Sequence, residues 1–283
     1  MSPPDEATSL AAPVRVLAVA SGKGGVGKTN VSVNLATALV TLGERVLLLD
    51  ADFGLANVDV MLGLTPKLTL ADVIAGRATL PEVILEGPRG LKVIPSSSGK
   101  RHMAEMTPAQ HAGIVQAVST YEGPVDTLVV DTAAGINDAV LTFCQAAQDV
   151  LVVVCDEPAS ITDAYALVKV LCRERGVGRV HVIANMVRSP VEGRALYDKL
   201  ARVVEKFLPE ASLAYLGAVP QDEQLRRAVQ KQRPVVDAFP GAPAAVAFRD
   251  IALRIHRWTR PTAPRGHVEF FVERMLEAGG TRA

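Results

Sequence analysis

Seven short apolar runs rich in Val and Leu recur along the chain, at Val14 to Ala20, Arg45 to Asp50, Leu91 to Pro95, Thr127 to Asp131, Val150 to Asp156, Val180 to Asn185 and Leu213 to Val219. Each is too short for a typical helix and hardly broken by polar residues, so each reads as a strand buried on both faces. Longer segments with helical spacing lie between them. Examples are Asn30 to Leu42, stopped by Gly43, and Ser160 to Arg173, whose Ser160-x-x-Asp163 start predicts a capping box. Helical crossovers between strands make those strands parallel and place helices on both faces. The expected fold is therefore α/β, a mostly parallel twisted sheet covered on both sides.

At 283 residues and 49% hydrophobic content the chain can build one large core. The expected division is a leader over 1–13, one domain over 14–258, and a Pro-rich link with a last helix over 259–283. Lys and Arg equal Asp and Glu at 30 each, so no global field draws the chain to nucleic acid. Arg226, Arg227, Lys231 and Arg233 form the one dense basic candidate. Cys144, Cys155 and Cys172 lack C-x-x-C spacing and are expected as reduced thiols. No basic start with an apolar stretch opens the chain, and no segment reaches the roughly 18 apolar residues of a spanning helix. The expected place is the cytoplasm, or the surface of the inner membrane or cell pole.

The segment Gly22-x-x-x-x-Gly27-Lys28-Thr29 follows the first strand and opens the first helix. That is the context in which a Walker A pattern holds nucleotide phosphates, and it predicts a P-loop NTPase. Backbone N–H groups of Gly24, Gly25, Val26, Gly27 and Asn30 are expected around the phosphates, with Lys28 on the β and γ groups and Thr29 on Mg²⁺. Carboxylates leave the second strand at Asp50 and Asp52, where parallel sheets bind ligand. Asp50 is expected to support Mg²⁺ from outside its coordination shell or to hold the loop; a plain turn carboxylate is the other reading. Leu128-Val129-Val130-Asp131 resembles a Walker B strand, so Asp131 is expected to reach Mg²⁺ through water. Asn185 ends a strand with an amide that can pair with adenine N6 and N7, and capping the strand end is its other reading.

Lys23, a second cation at the loop entrance, resembles the signature lysine of the deviant Walker A class, the Min and Par ATPases. The resemblance implies Mg²⁺-dependent cleavage of ATP to ADP and a homodimer formed with ATP, in which Lys23 reaches the partner's phosphates. It assigns Asp52 to the attacking water, and Asn57, Ala134, Gly135 and Glu157 to the switch and dimer surface. Val219-Pro220-Gln221-Asp222 is similar to the loop flanking adenine, which adds Pro220 and Asp222 to the nucleotide contacts.

The stretches Ala51-Asp52-Phe53-Gly54-Leu55-Ala56-Asn57-Val58-Asp59, Asp131-Thr132-Ala133-Ala134-Gly135-Ile136 and Glu157-Pro158-Ala159-Ser160-Ile161-Thr162-Asp163 resemble the MinD-like regulators of flagellar number, the FlhG and FleN group. This implies restraint of a flagellar AAA+ enhancer-binding activator and cooperation with the polar flagellar GTPase. A septum-site or chromosome-partitioning ATPase is the alternative, and DNA coating is not expected from the charge. Asp5-Glu6-Ala7-Thr8-Ser9-Leu10-Ala11 keeps only part of the motif by which some relatives stimulate that GTPase. Val268, Phe271, Val272 and Met275, beside Phe270, give a helix over 267–278 one apolar face, while Glu269, Glu273 and Glu277 make it acidic. That face is expected to pack on its own domain or a partner, with lipid binding as the other reading.

Overall fold

The computed structural model describes residues 13–96, 106–260 and 268–280, with side chains to residue 276. The partial N-terminal motif and the Pro-rich link at 261–267 lie outside the described residues. Eight strands form one sheet: β1 Arg15–Ser21, β2 Val46–Ala51, β3 Leu85–Glu86, β4 Lys92–Ile94, β5 Thr127–Ala134, β6 Asp149–Val154, β7 Arg179–Val187 and β8 Ser212–Pro220. Their order is β3-β4-β2-β5-β1-β6-β7-β8, and β3 alone runs antiparallel to its neighbour. Seven strands stand where the apolar runs predict them. β3 has two residues and leaves no run to detect.

The principal helices are α1 Lys28–Thr41, α2 Pro108–Ser119, α3 Asp138–Ala146, α4 Pro158–Arg175, α5 Pro190–Phe207, α6 Glu223–Gln230, α7 Pro243–His256 and α8 Val272–Gly280. Alternate residues of each strand point to opposite faces, so β1 divides between two cores. Val16, Ala18 and Ala20 join Ile114, Val140, Leu167 and Leu196 from α2 to α5. Leu17 and Val19 join Leu35 of α1 and Phe248 of α7.

Two helix starts differ from expectation. α4 begins at Pro158 with Glu157 as its N-cap, because Ser160 is buried and its hydroxyl accepts from Cys155 N at 3.1 Å. Ser160 therefore ties the helix back to β6 instead of capping it. α8 begins at Val272, since Phe271 has φ 55°, a left-handed turn that breaks the spacing counted from Val268. Val268 lies outside the helix and is exposed, whereas Phe270, Phe271 and Met275 are buried. Phe270 stacks on Phe143 with centroids 6.3 Å apart, Phe271 N donates to Ser119 Oγ at 2.9 Å, and Arg274 donates to the carbonyls of Tyr121 and Gly123. The apolar face thus packs on its own protein, on α2 and α3.

Buried charge at one end of the sheet and side-chain donors along one edge close it off. At the N-terminal ends of the strands, Glu44 accepts from Arg15 at 3.4 Å, Thr127 at 2.5 Å and His256 at 2.6 Å. Arg15 also donates to Trp258 O at 2.7 Å. Nearby, Arg45 grips Asp126 through two side-chain bonds of 2.8 Å. On the edge strand β8, Tyr197 donates to Leu213 O at 2.9 Å and Arg254 to Leu216 O at 2.7 Å.

Candidate nucleotide site

β1 ends into a loop that turns sharply at Gly25 and Gly27, both with positive φ near 80°. Glycine takes this backbone without the clash a Cβ brings. Gly27 is also crowded, since a Cβ there would meet Asn185 Nδ2 at 2.5 Å, and one on Gly22 would meet the Asp163 backbone at 2.2 Å. The loop is therefore wedged between α4 and the end of β7. α1 begins directly after it at Lys28, so its free N–H groups face the loop's concave side.

Lys28 and Asp131 form a buried ion pair at 2.8 Å, and Ser32 Oγ donates to the same Oδ1 at 2.7 Å. Ser32 lies one turn beyond Lys28 on the same face of α1, a spacing by which sequence could have found it. Asp131 Oδ2 has no hydrogen bond among the described residues. With Thr29 at the start of α1, it supplies oxygen donors suited to Mg²⁺, which fits the expected site.

Asp50 faces Asp131 across the β2–β5 register. Burial, then the Asp131 charge, pushes its carboxyl up to about 8. Its Oδ1 accepts from Asp52 N at 3.1 Å, and its Oδ2 from Asn57 N and Val58 N, each at 3.1 Å. Asp50 therefore gathers the loop after β2. Asp52 is partly exposed and spends one oxygen on Leu55 N at 3.0 Å, while the Asn57 amide donates to Leu55 O at 2.6 Å. After β5, Gly135 has φ 98° and its N–H donates to Ser21 O at 2.9 Å, so Ala134 and Gly135 lie against the start of the phosphate loop.

Lys23 reaches Glu157 of its own chain at 2.9 Å on an exposed rim, and that contact holds its ammonium above its ordinary pKa. Asn185 is buried and donates to Val26 O at 2.8 Å, a bond that fixes the phosphate loop. That contact is to the phosphate loop of its own chain, so Asn185 does more than cap the strand end. Asp222 is less free than expected, because Oδ1 caps α6 through Gln224 N at 2.8 Å and Oδ2 accepts from Ala244 N at 2.9 Å. Pro220 ends β8 opposite Val187. Glu157 holds the N-cap position of α4 without a side-chain cap bond and meets Lys23, whereas Val268 is exposed and Phe270, Phe271 and Met275 are buried in packing on their own protein.

A family model described as ParA, NUBPL iron-transfer P-loop NTPase matches residues 13–256. The chain is 58% identical over 269 residues to Antiactivator FleN of Pseudomonas aeruginosa, covering 95% of this chain and 96% of that one. It is 37% identical over 219 residues to Flagellum site-determining protein YlxH of Helicobacter pylori, covering 77% and 74%. Among solved structures it matches the septum site-determining protein MinD of Pyrococcus horikoshii, complexed with Mg-ADP, at a TM-score of 0.72 and 25% identity over 86% of this chain and 96% of that one. The loop, the paired carboxylates and these likenesses agree, and the chain belongs to the ParA family of P-loop NTPases, in its MinD-like FleN and FlhG branch.

Proposed function

We propose that this protein is an ATPase switch that regulates flagellar number through a homodimer formed with ATP. The buried Lys28–Asp131 pair beneath a glycine loop, with Lys23 on the rim, is the observation that carries this reading. Lys28 and the loop N–H groups bind the phosphates, while Thr29 and Asp131 would hold Mg²⁺. Held there, the ion would supply positive charge against the phosphate oxygens. Asp52 orients the water that attacks the γ-phosphorus as the bond to the β–γ bridging oxygen breaks. Asp50 keeps the Asp52 loop in place through three backbone bonds. Phosphoryl transfer needs positioning more than a strong base, so one oriented carboxylate suffices for slow turnover.

Lys23 exchanges Glu157 for the phosphates of a second copy, and Asn57, Ala134 and Gly135 complete that face. Asn185 and the Pro220 to Asp222 loop flank adenine. The C-terminal apolar residues serve packing, and no helix among the described residues is long and apolar enough to cross a membrane. The dimer restrains the flagellar AAA+ activator and acts with the polar GTPase in the cytoplasm; the antiactivator name of the 58% identical relative supports this.

Lys23→Ala should still bind Mg-ATP but remain a monomer in light scattering, and a normal dimer would sink the assignment. Asp52→Ala should bind ATP yet turn over roughly 100-fold more slowly, the loss expected when a positioned proton acceptor is removed. Capture of the flagellar activator by that ATP-locked dimer, against capture of a septum or partition protein, separates the functional branches.

A further inference from the structure

A groove of about 770 Å³ follows the outer border of β8 from Tyr215 to Pro220, between the first turns of α5 and one face of α7. Of the residues assigned above to nucleotide, switch or dimer, Pro220 alone lines it. Glycines draw the flanking helices close to the strand. A Cβ on Gly217 would meet Ile251 Cγ1 at 2.8 Å, and one on Gly193 would meet the Ala218 methyl at 2.5 Å. From α7, Pro243, Val246, Ala247, Asp250, Ile251 and Arg254 form a lining stripe at helical spacing. Val246 is 42% exposed, and Val191, at the start of α5, is 78% exposed. Apolar groups around a concave face are what a protein surface would cover.

Arg188, Arg194 and Arg254 line the groove against one carboxylate, Asp250. Arg188 spends only its backbone N–H, on Glu192 at 2.6 Å, and its guanidinium has no partner among the described residues. Arg194 gives Nε to Asp198 at 3.1 Å and lies over the Tyr197 and Tyr215 rings, at 5.1 and 5.4 Å. Arg254 gives one N–H to Leu216 O at 2.7 Å. Burial raises the Tyr215 pKa while Arg254 and Arg194 oppose the rise, so both guanidiniums stand near that hydroxyl. Positive charge thus gathers over an apolar floor, the complement of apolar side chains bordered by carboxylates.

The form of the occupant follows from the strand. With Leu216 O already taken, an extended segment cannot continue the ladder there, whereas a helix satisfies its own backbone and needs only side-chain contacts. Tyr215 to Pro220 spans about 17 Å of strand, and Pro243 to Arg254 spans about 17 Å of helix, room for about three helical turns. We infer that the β8 groove docks an amphipathic helix of a protein partner, with its apolar face against Val246 and Ile251 and its Asp or Glu residues on Arg188, Arg194 and Arg254. The inference does not depend on the switch reading.

The probe is a helical peptide of about 15 residues, with Leu at i, i+3, i+4 and i+7 spacing and Glu on both borders of that face. Titrated into the full chain with Mg-ADP, it should give saturable ¹³C shifts of the Val246 and Ile251 methyls. The same peptide with Lys in place of every Glu should bind at least about ten-fold more weakly. Val246→Glu sets a like charge on the exposed wall, and should weaken the Glu peptide at least about ten-fold with melting temperature, turnover and ATP-dependent dimer unchanged. Should that variant fold poorly, Arg188→Glu breaks no side-chain contact, and should bring the two peptides within about three-fold of each other. Equal binding of both peptides to wild type, shifts that spare Val246 and Ile251, or binding that survives Val246→Glu would overturn the proposal. Self-association of the nucleotide-free protein that Val246→Glu abolishes would overturn it in favour of a second copy. Duplex DNA binding abolished by Arg188→Glu would overturn it in favour of nucleic acid.

Discussion

One strand carries a buried carboxylate near each end, and the two are treated differently. Glu44, just before β2, is enclosed by Arg15, Thr127 and His256, which saturate its oxygens with opposite charge and donors. Asp50, near the far end of β2, meets a second carboxylate across the sheet and only backbone N–H groups for support. A closed network fixes one geometry, whereas an incompletely neutralised pair stays sensitive to whatever cation or phosphate arrives. The same sheet is thus locked at one end and responsive at the other.

The sharpest way to break this contrast is Glu44→Ala. Removing one partner leaves Arg15 buried without a counter-charge, so a loss of about 3–5 kcal/mol in urea unfolding is expected. ATP turnover per folded molecule should stay unchanged, and a fall in turnover would join the two ends. A smaller effect is expected at Asp126, whose pKa the Arg45 hydrogen bond holds down at about 2. A depressed carboxyl stabilises above its unfolded value near 4 and loses that contribution as pH falls through 2. Asp126→Asn should therefore cost at most about 2 kcal/mol at pH 7 and nothing near pH 2.

Asp50→Asn should change stability least below about pH 4, within about 1 kcal/mol, since Asp50 is neutral there in both states and the variant keeps an acceptor for the loop. Its pH slope is the informative quantity. With a folded pKa raised to about 8, the Asp50 contribution is complete below about pH 4 and fades as pH rises toward 8. Melting temperatures of the nucleotide-free proteins should then diverge between pH 4 and 8 in favour of the variant. Parallel curves would show that Asp50 is as well satisfied as Glu44.

Much of this was readable in the residues. Buried parallel strands need unbroken apolar runs, and phosphate loops need glycine at fixed spacing, so β1, α1 and Asp131 announce themselves. Contacts between distant segments leave no such trace. The pairing of Lys23 with Glu157 and the bond from Asn185 to Val26 each join elements more than 130 residues apart. The start of α4 misleads for a related reason, because Ser160 has the pattern of a cap but its tertiary position sends its hydroxyl to Cys155. At α8, a single left-handed residue, Phe271, overrides a helical period that local spacing supports.

The stoppered carbonyls of β8 have a consequence for assembly. An open sheet edge invites another chain to continue the ladder, and such growth has no natural end. Tyr197 and Arg254 occupy Leu213 and Leu216 with side-chain donors, and at the opposite border β3 offers only two residues. Polymerisation along the sheet is thereby discouraged at both borders. The dimer face proposed above, which bears the nucleotide, therefore meets no competing ladder from the sheet borders.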